Sequence, residues 1–297
     1  MRKVLKKIAF LIIFYLIVIC PKDIKALTKT ELKNLNLTRM QTYSLENGFK
    51  SVQGGTITDK YIVLAQIYDD SSETALVFIN KDSLKKEKIV KKYKMNHAND
   101  MTYNSETNQI IVTGGTGYPR LYIINQDTFE LEKMVITTRG YSSIAYDKEN
   151  NNYIARRKQT AYILDLNFNE QYSFPMLSED LTAQSFAVHK GKVYYTCYEA
   201  GRPTIYQKTY SGILKAKENV VIVYDLEKQT KEKIYYIPQV TNEGVYPGEV
   251  EGVDFIGNKM VIWTNKSSMV NIFSPVITEE NKVLEVIIKE ENTEEQT

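Results

Sequence analysis

The chain has 297 residues, enough for one large domain or two ordinary ones, and its 43% hydrophobic and 25% charged content lies in the globular range, not the disordered one. Two cysteines exclude a disulfide framework or a multi-cysteine metal site, and two histidines exclude a His-rich metal centre. Tyrosine is the compositional outlier, with 22 residues against a single Trp.

Residues 1–26 open with Arg2, Lys3, Lys6 and Lys7, continue as the apolar run IAFLIIFYLIVIC (8–20) and reach Pro21. As a helix that run would be about 20 Å long, short of a hydrocarbon core of about 30 Å. Its length and flanks predict a secretory signal peptide, cut after Ala26, and a secreted, extracellular mature chain. An uncleaved anchor is the competing reading. On the secretory reading the membrane is met only through the signal peptide. The mature chain would hold 32 basic and 35 acidic residues, a poor balance for binding nucleic acid. Cys197 would be its one cysteine, and its apolar surroundings VYYTCY predict a buried, inert thiol.

Beyond residue 38 the sequence lacks sustained helical periodicity. Short strands rich in Val, Ile, Tyr, Phe and Thr recur instead. Five segments share one shape: SVQGGTIT (51–58), ANDMTYN (98–104), YSSIAYD (141–147), AQSFAVH (183–189) and EVEGVDFI (249–256). Each leads through a turn into a second strand: KYIVLAQI, NQIIVTGG, NNYIARR, GKVYYTCY and NKMVIWTN. Third strands follow as ALVFINKD, RLYIINQD, AYILDLN, VVIVYDLE and MVNIFSP, and four of the five end on Asp or Asn. Fourth strands follow as EKIVKKY, LEKMVIT, EQYSFP and KEKIYYIP, and the fifth unit lacks one.

Four antiparallel strands repeating about every 40 residues predict an all-β five-bladed β-propeller over residues 38–278. The orphan segment MQTYSL (40–45) is expected to supply the missing strand, so that an N-terminal strand closes the ring and removes its free edges. VLEVIIK (283–289) competes for that slot. Residues 279–297, with seven Glu and two Lys, read as an acidic C-terminal tail. A β-sandwich is the alternative fold.

In such a ring the starts of the inner strands converge on a central funnel. Its candidate ligand-binding residues are Gln53, His97, Asn99, Asp100, Ser142, Gln184, Glu249 and Glu251, and Ser143 and Ser185 stand at the same strand starts. Two long insertions, Glu199 to Asn219 and Pro238 to Gly248, are expected on the same face, with the 69–74 connection, the Gly114–Pro119 loop, Arg156 and Arg157. Tyr118, Tyr198, Tyr206, Tyr210 and Tyr246 would surround the mouth and suit a glycan. Each single residue also has a structural reading. His97 could bond a neighbouring blade, and Asp100 could bond backbone amides. Glu249 and Glu251, on one side of a strand, could bind Ca²⁺ or Mg²⁺, act as an acid and base, or form a structural hydrogen-bond ring. His189 is expected at an ordinary surface turn. The chain has no P-loop, GxSxG, HExxH, CxxC or dinucleotide fingerprint.

VQGGTI, HANDMTYN and PGEVEGV together resemble the inner strands of secreted five-bladed propeller proteins of Gram-positive bacteria, the helveticin J-like, class III bacteriocin-like group. The resemblance covers about residues 40–278 and carries no catalytic residues across. It implies a secreted protein that acts at bacterial surfaces. The enriched polar face and the lack of a catalytic motif point to a monomer that binds a cell-surface or cell-wall glycan or peptide at its funnel. A hydrolase or lyase built on the central carboxylates, with a divalent cation such as Ca²⁺ or Mg²⁺, is the alternative. A purely structural surface protein is a third reading. The chain is less similar to streptogramin lyases, whose blade count and spacing differ.

Overall fold

The computed structural model describes residues 31–68, 73–176, 182–198, 219–238, 241, 244, 247–266 and 268–277. The expected signal peptide and tail, VLEVIIK, Asp69, Asp70, most of both insertions, and Tyr206, Tyr210 and Tyr246 lie outside these residues. The described residues hold twenty strands and no helix.

Four blades run in chain order: β2 to β5 (Ser51–Ile57, Tyr61–Ile67, Thr74–Asn80, Lys86–Tyr93), β6 to β9 (Met101–Asn104, Gln109–Thr113, Arg120–Asn125, Leu131–Ile136), β10 to β13 (Ser143–Asp147, Asn152–Arg157, Thr160–Leu164, Glu170–Pro175) and β14 to β17 (Thr182–His189, Lys192–Tyr198, Asn219–Asp225, Thr230–Ile237). Each is an antiparallel sheet in sequence order. The fifth blade holds β18 (Glu249–Ile256), β19 (Lys259–Lys266), β20 (Met269–Ile277) and β1 (Glu31–Ser44). Inner strands of neighbouring blades meet around the circle, β2 with β6, β6 with β10, β10 with β14, β14 with β18 and β18 with β2. The fold is a five-bladed propeller.

The closing strand starts earlier than the sequence pattern suggested. Leu35 to Ser44 pair antiparallel with β20, while Glu31 to Asn34 run parallel to β17 of blade four. One strand therefore closes blade five and fastens it to its neighbour. Leu35 and Leu37 alternate into the core and fix which face turns inward.

The core is divided among the contacts between blades. Five apolar clusters fill the five interfaces, for instance Val63, Phe78 and Met101 between blades one and two, and Val77, Ile272 and Trp263 between blades five and one. Middle strands are covered on both faces, so TALVFIN (β4) and NVVIVYD (β16) are apolar almost throughout. Outer strands such as LEKMVI (β9) are exposed along most of their length.

The Asp or Asn ending four of the third strands now has its reason. Asn80, Asn125, Asp165 and Asp225 each accept, through Oδ1, at least one backbone N–H from the following turn. These Asx turns reverse the chain into the outer strand. Leu84, Phe129 and Phe168 close three of the turns with positive φ of 56°, 58° and 66°. Phe129 then packs edge-on against Phe78 of the preceding blade at 4.7 Å, so the turn also serves as an interface.

Candidate functional site

Three of the five inner strands begin with the same irregularity. Pairing slips between Val52 and Gly55, between Ala183 and Phe186, and between Val250 and Gly252. Asn99-Asp100 and Ser142 stand immediately before the ladders of blades two and three. Aligned on these points, VQGGT, ANDMT, YSSIA, AQSFA and VEGVD place Gln53, Asn99, Ser142, Gln184 and Glu251 at one position. Gly54, Asp100, Ser143, Ser185 and Gly252 occupy the next. Bulges re-aim side chains, and here they direct two rings of residues toward the axis.

The second ring is the floor. Asp100 is fully buried. Its Oδ2 accepts the backbone N–H of Ile144 in blade three (3.1 Å) and of Phe186 in blade four (3.0 Å). Its Oδ1 accepts the Ser185 hydroxyl at 2.7 Å. One carboxyl thus spans from blade two to blade four, which requires small neighbours at the same level. A Cβ on Gly54 would lie 2.7 Å from the Asp100 Cα, and one on Gly252 would lie 2.1 Å from the Trp263 ring. Burial pushes the Asp100 carboxyl up to about 8, against the opposing pull of Ser185 and the Phe186, Ile144 and Met101 amides. Of the two readings of Asp100, the backbone-amide one describes its contacts, with amides of blades three and four.

Arg156 seals the floor between blades three and four. It was expected among the loops of the open face, but it sits at the end of β11 and is buried. Its Nε and Nη2 donate to Ser143 Oγ (3.2 and 3.1 Å), Nη2 also donates to the Ala183 carbonyl (2.7 Å), and Nη1 donates to the Lys158 carbonyl (3.0 Å). Ser143 Oγ in turn donates to the Gln184 carbonyl at 3.1 Å. The strand pattern already set Ser143 and Ser185 at the starts of inner strands and Arg156 on the same face. That they close the floor was not legible, because Gln184, Asp100 and Ala183 reach them from other blades.

The first ring is the mouth. Asn99 Nδ2 donates to the Ser142 carbonyl at 2.6 Å, and Gln184 Nε2 donates to Glu249 Oε1 at 3.2 Å. These bonds bring together blades two and three, and blades four and five. Gln53 and His97 are half-buried and make no side-chain hydrogen bond among the described residues. The His97 backbone N–H donates to Gly114 O within its own blade, and burial lowers its imidazole pKa. Glu251 is only 3% exposed, and burial, then the charge of Glu249, hold its carboxyl well above the ordinary range. Glu249 is held from behind: Asn219 Nδ2 donates to Gly248 O (2.9 Å), Val250 N donates to Asn219 Oδ1 (3.2 Å), and Thr264 and Asn271 donate to the Pro247 carbonyl.

Two residues stand apart from the site. Cys197 is buried and free, and burial raises its thiol to about 12. His189, expected at an ordinary surface, stacks on Phe255 at 4.2 Å and so joins blades four and five. No group of three or more His, Cys, Asp and Glu side chains placed to hold a metal ion occurs among the described residues.

No protein-family model matches the chain, and no curated protein does. Solved structures similar to it include a DUF4221 family member from Bacteroides vulgatus (8% identity, 83% of this chain and 99% of that one, TM-score 0.46). Others are the Cps50 (Swd1) β-propeller domain of Myceliophteria thermophila (8% identity, 80% and 99%, TM-score 0.45) and the RRP9 WD40 repeats (9% identity, 82% and 100%, TM-score 0.48).

Proposed function

We propose that this protein is a secreted recognition module that receives a cell-surface or cell-wall ligand, a glycan or a peptide, in its central funnel. The observation carrying this reading is the polar mouth itself. Each of five blades contributes one polar side chain at the equivalent position of its inner strand, and the floor beneath is closed by Asp100 and Arg156. Rigid elements hold these groups, so little ordering would be needed on binding. Amide and carboxyl groups in this arrangement suit the hydroxyls of a sugar or the backbone of a peptide. The leader-like N-terminus and the resemblance to helveticin J-like bacteriocins of Gram-positive bacteria support a ligand on bacterial surfaces. Pull-down of the mature protein on intact cells and isolated wall material tests the reading. Binding that weakens about tenfold in Asn99→Ala or Gln53→Ala is expected. Binding indifferent to both would overturn it.

One observation favours a second reading, a hydrolase or lyase. A carboxyl whose affinity for its proton is raised by burial and by a neighbouring carboxylate, as at Glu251, suits a general acid. Turnover on glycan and peptide panels that rises and falls with pH, and is lost in Glu251→Gln, would select it over pure recognition.

A further inference from the structure

The turns that join third to fourth strands share one device, with one exception. Their positive-φ residue is Leu84 in blade one, Phe129 in blade two and Phe168 in blade three. Each packs into the interface with the preceding blade: Leu84 among Tyr43 and Ile272, Phe129 among Phe78 and Val63, and Phe168 among Ile111 and Ile123. In blade four the same position is Gln229, also with positive φ, 52°. Gln229 is exposed and lines a cavity of about 710 Å³ between blades three and four. That junction therefore lacks the apolar plug the others have. The turns framing it, 147–152, 190–191 and 225–230, lie on the face opposite the funnel mouth.

The walls restrict what could enter. Ile154, Ile163 and Phe174 of blade three and Leu226 of blade four supply apolar surface. Phe174 stacks on Tyr224 of blade four at 5.9 Å, and Tyr172 stands 6.5 Å from Phe174. Tyr172 ends this aromatic row with 59% of its surface exposed, and it lines the cavity. Asn152 is half-buried on the same wall, and its Oδ1 is buried without a hydrogen-bond partner among the described residues. A buried amide oxygen calls for an O–H or N–H donor. Lys192 is paired with Glu232, and Lys228 with Asp225, so these cations are answered within the protein. What remains on offer is an aromatic face and two neutral amides. A pyranose presents C–H groups to an aromatic ring and hydroxyls at its rim, and small-ligand sites of about 300–1,000 Å³ are usual.

We infer that this cavity is a second binding site, which takes a neutral sugar. The pyranose ring lies against Tyr172, one hydroxyl donates to Asn152 Oδ1, and the Gln229 amide meets another hydroxyl at the edge. The site is on the turn side of the ring and does not rest on the funnel reading.

Titration of the full chain with glucose, galactose, mannose and N-acetylglucosamine, read by saturation-transfer NMR, tests it. At least one sugar should bind saturably, and cyclohexanol should not. Gln229→Phe supplies the plug that blades two and three have. It should abolish sugar binding while melting no lower than the parent protein, which separates lost recognition from lost folding. Tyr172→Ala, at an exposed position, should weaken binding about tenfold and gives a second readout should the plugged turn misfold. No binding of any of the four sugars, equal binding of cyclohexanol, or affinity unchanged in Tyr172→Ala or in folded Gln229→Phe would each overturn the site. Sugar binding that Asn99→Ala abolishes and Gln229→Phe spares would belong to the funnel and would also overturn it.

Discussion

At the scale of single residues, Asp100 does most to hold the centre together. Its carboxyl meets two backbone N–H groups and a hydroxyl from two other blades. Asp100→Ala would leave those donors buried and unmet, at about 1–3 kcal/mol each. Urea unfolding should therefore register a loss of at least about 3 kcal/mol. Asp100→Asn keeps an acceptor oxygen and should retain most of the stability. The pH dependence has a definite sign. The folded chain holds the Asp100 proton up to about pH 8, whereas the unfolded chain releases it near the ordinary value of 3.8. Stability from this group is complete below about pH 4 and falls as pH rises through 8. Asp100→Asn should flatten that fall between melts at pH 5 and pH 8, and an unchanged slope would count against the assignment. Glu251, also raised, acts in the same direction from its own ordinary value of 4.5 upward. Cys197 gives a simpler test. Buried, and with its thiol raised to about 12, it should resist a thiol reagent in the native protein and react fully once denatured.

Among the elements, β1 bears the greatest load because it joins two blades. Its first four residues lie along β17 and the rest along β20. Leu37, buried between them, should cost about 2–5 kcal/mol when replaced by Ala, as other core leucines do. Removing residues 31–44 would expose the edges of β17 and β20 together. Light scattering on refolding should then show association where the intact chain gives none. The inner strands make a contrasting demand, for closeness. Gly252 leaves no room for a Cβ against Trp263, so Gly252→Ala must push the indole aside. Its fluorescence should shift to the red and its melting temperature drop. An unshifted spectrum would mean that the strands can part more freely than their packing suggests.

For the whole molecule, the ring makes stability collective. Every blade has an apolar interface on both sides, and opening any one of the five leaves two faces wet. Linear repeat arrays can fray from their ends, but a closed ring has no end. Trp263 lies at the junction of blades five and one, so its fluorescence reports closure, whereas far-UV dichroism reports all twenty strands. The two signals should trace one denaturation curve, and Leu37→Ala should move them together. Separate midpoints would show blades folding independently.

The sequence by itself determined the strand count, the blade order and the closing role of the N-terminal segment. These follow from patterns local in the chain: alternation of apolar residues, and Asn80, Asn125, Asp165 and Asp225 at the turns, where the accepting side chain and the donating backbone N–H are two to four residues apart. It also placed Gln53, Asn99, Ser142, Gln184 and Glu251 on equivalent strands. It placed the start of the closing strand too late, because Glu31 to Asn34 lack an apolar pattern and are held by parallel pairing with residues some 200 positions away. Arg156 and His189 looked like surface residues because charge and polarity are all a sequence displays. Arg156 is buried against the Ala183 carbonyl and His189 is half-buried on the Phe255 ring, both partners in other blades. Only the tertiary structure could separate Asp100, whose partners lie 44 to 86 residues away, from Glu251, which has no hydrogen-bond partner among the described residues. In the sequence both are acidic residues at the start of an inner strand. What distinguishes a floor from a binding group is where the donors stand, and the ring places them.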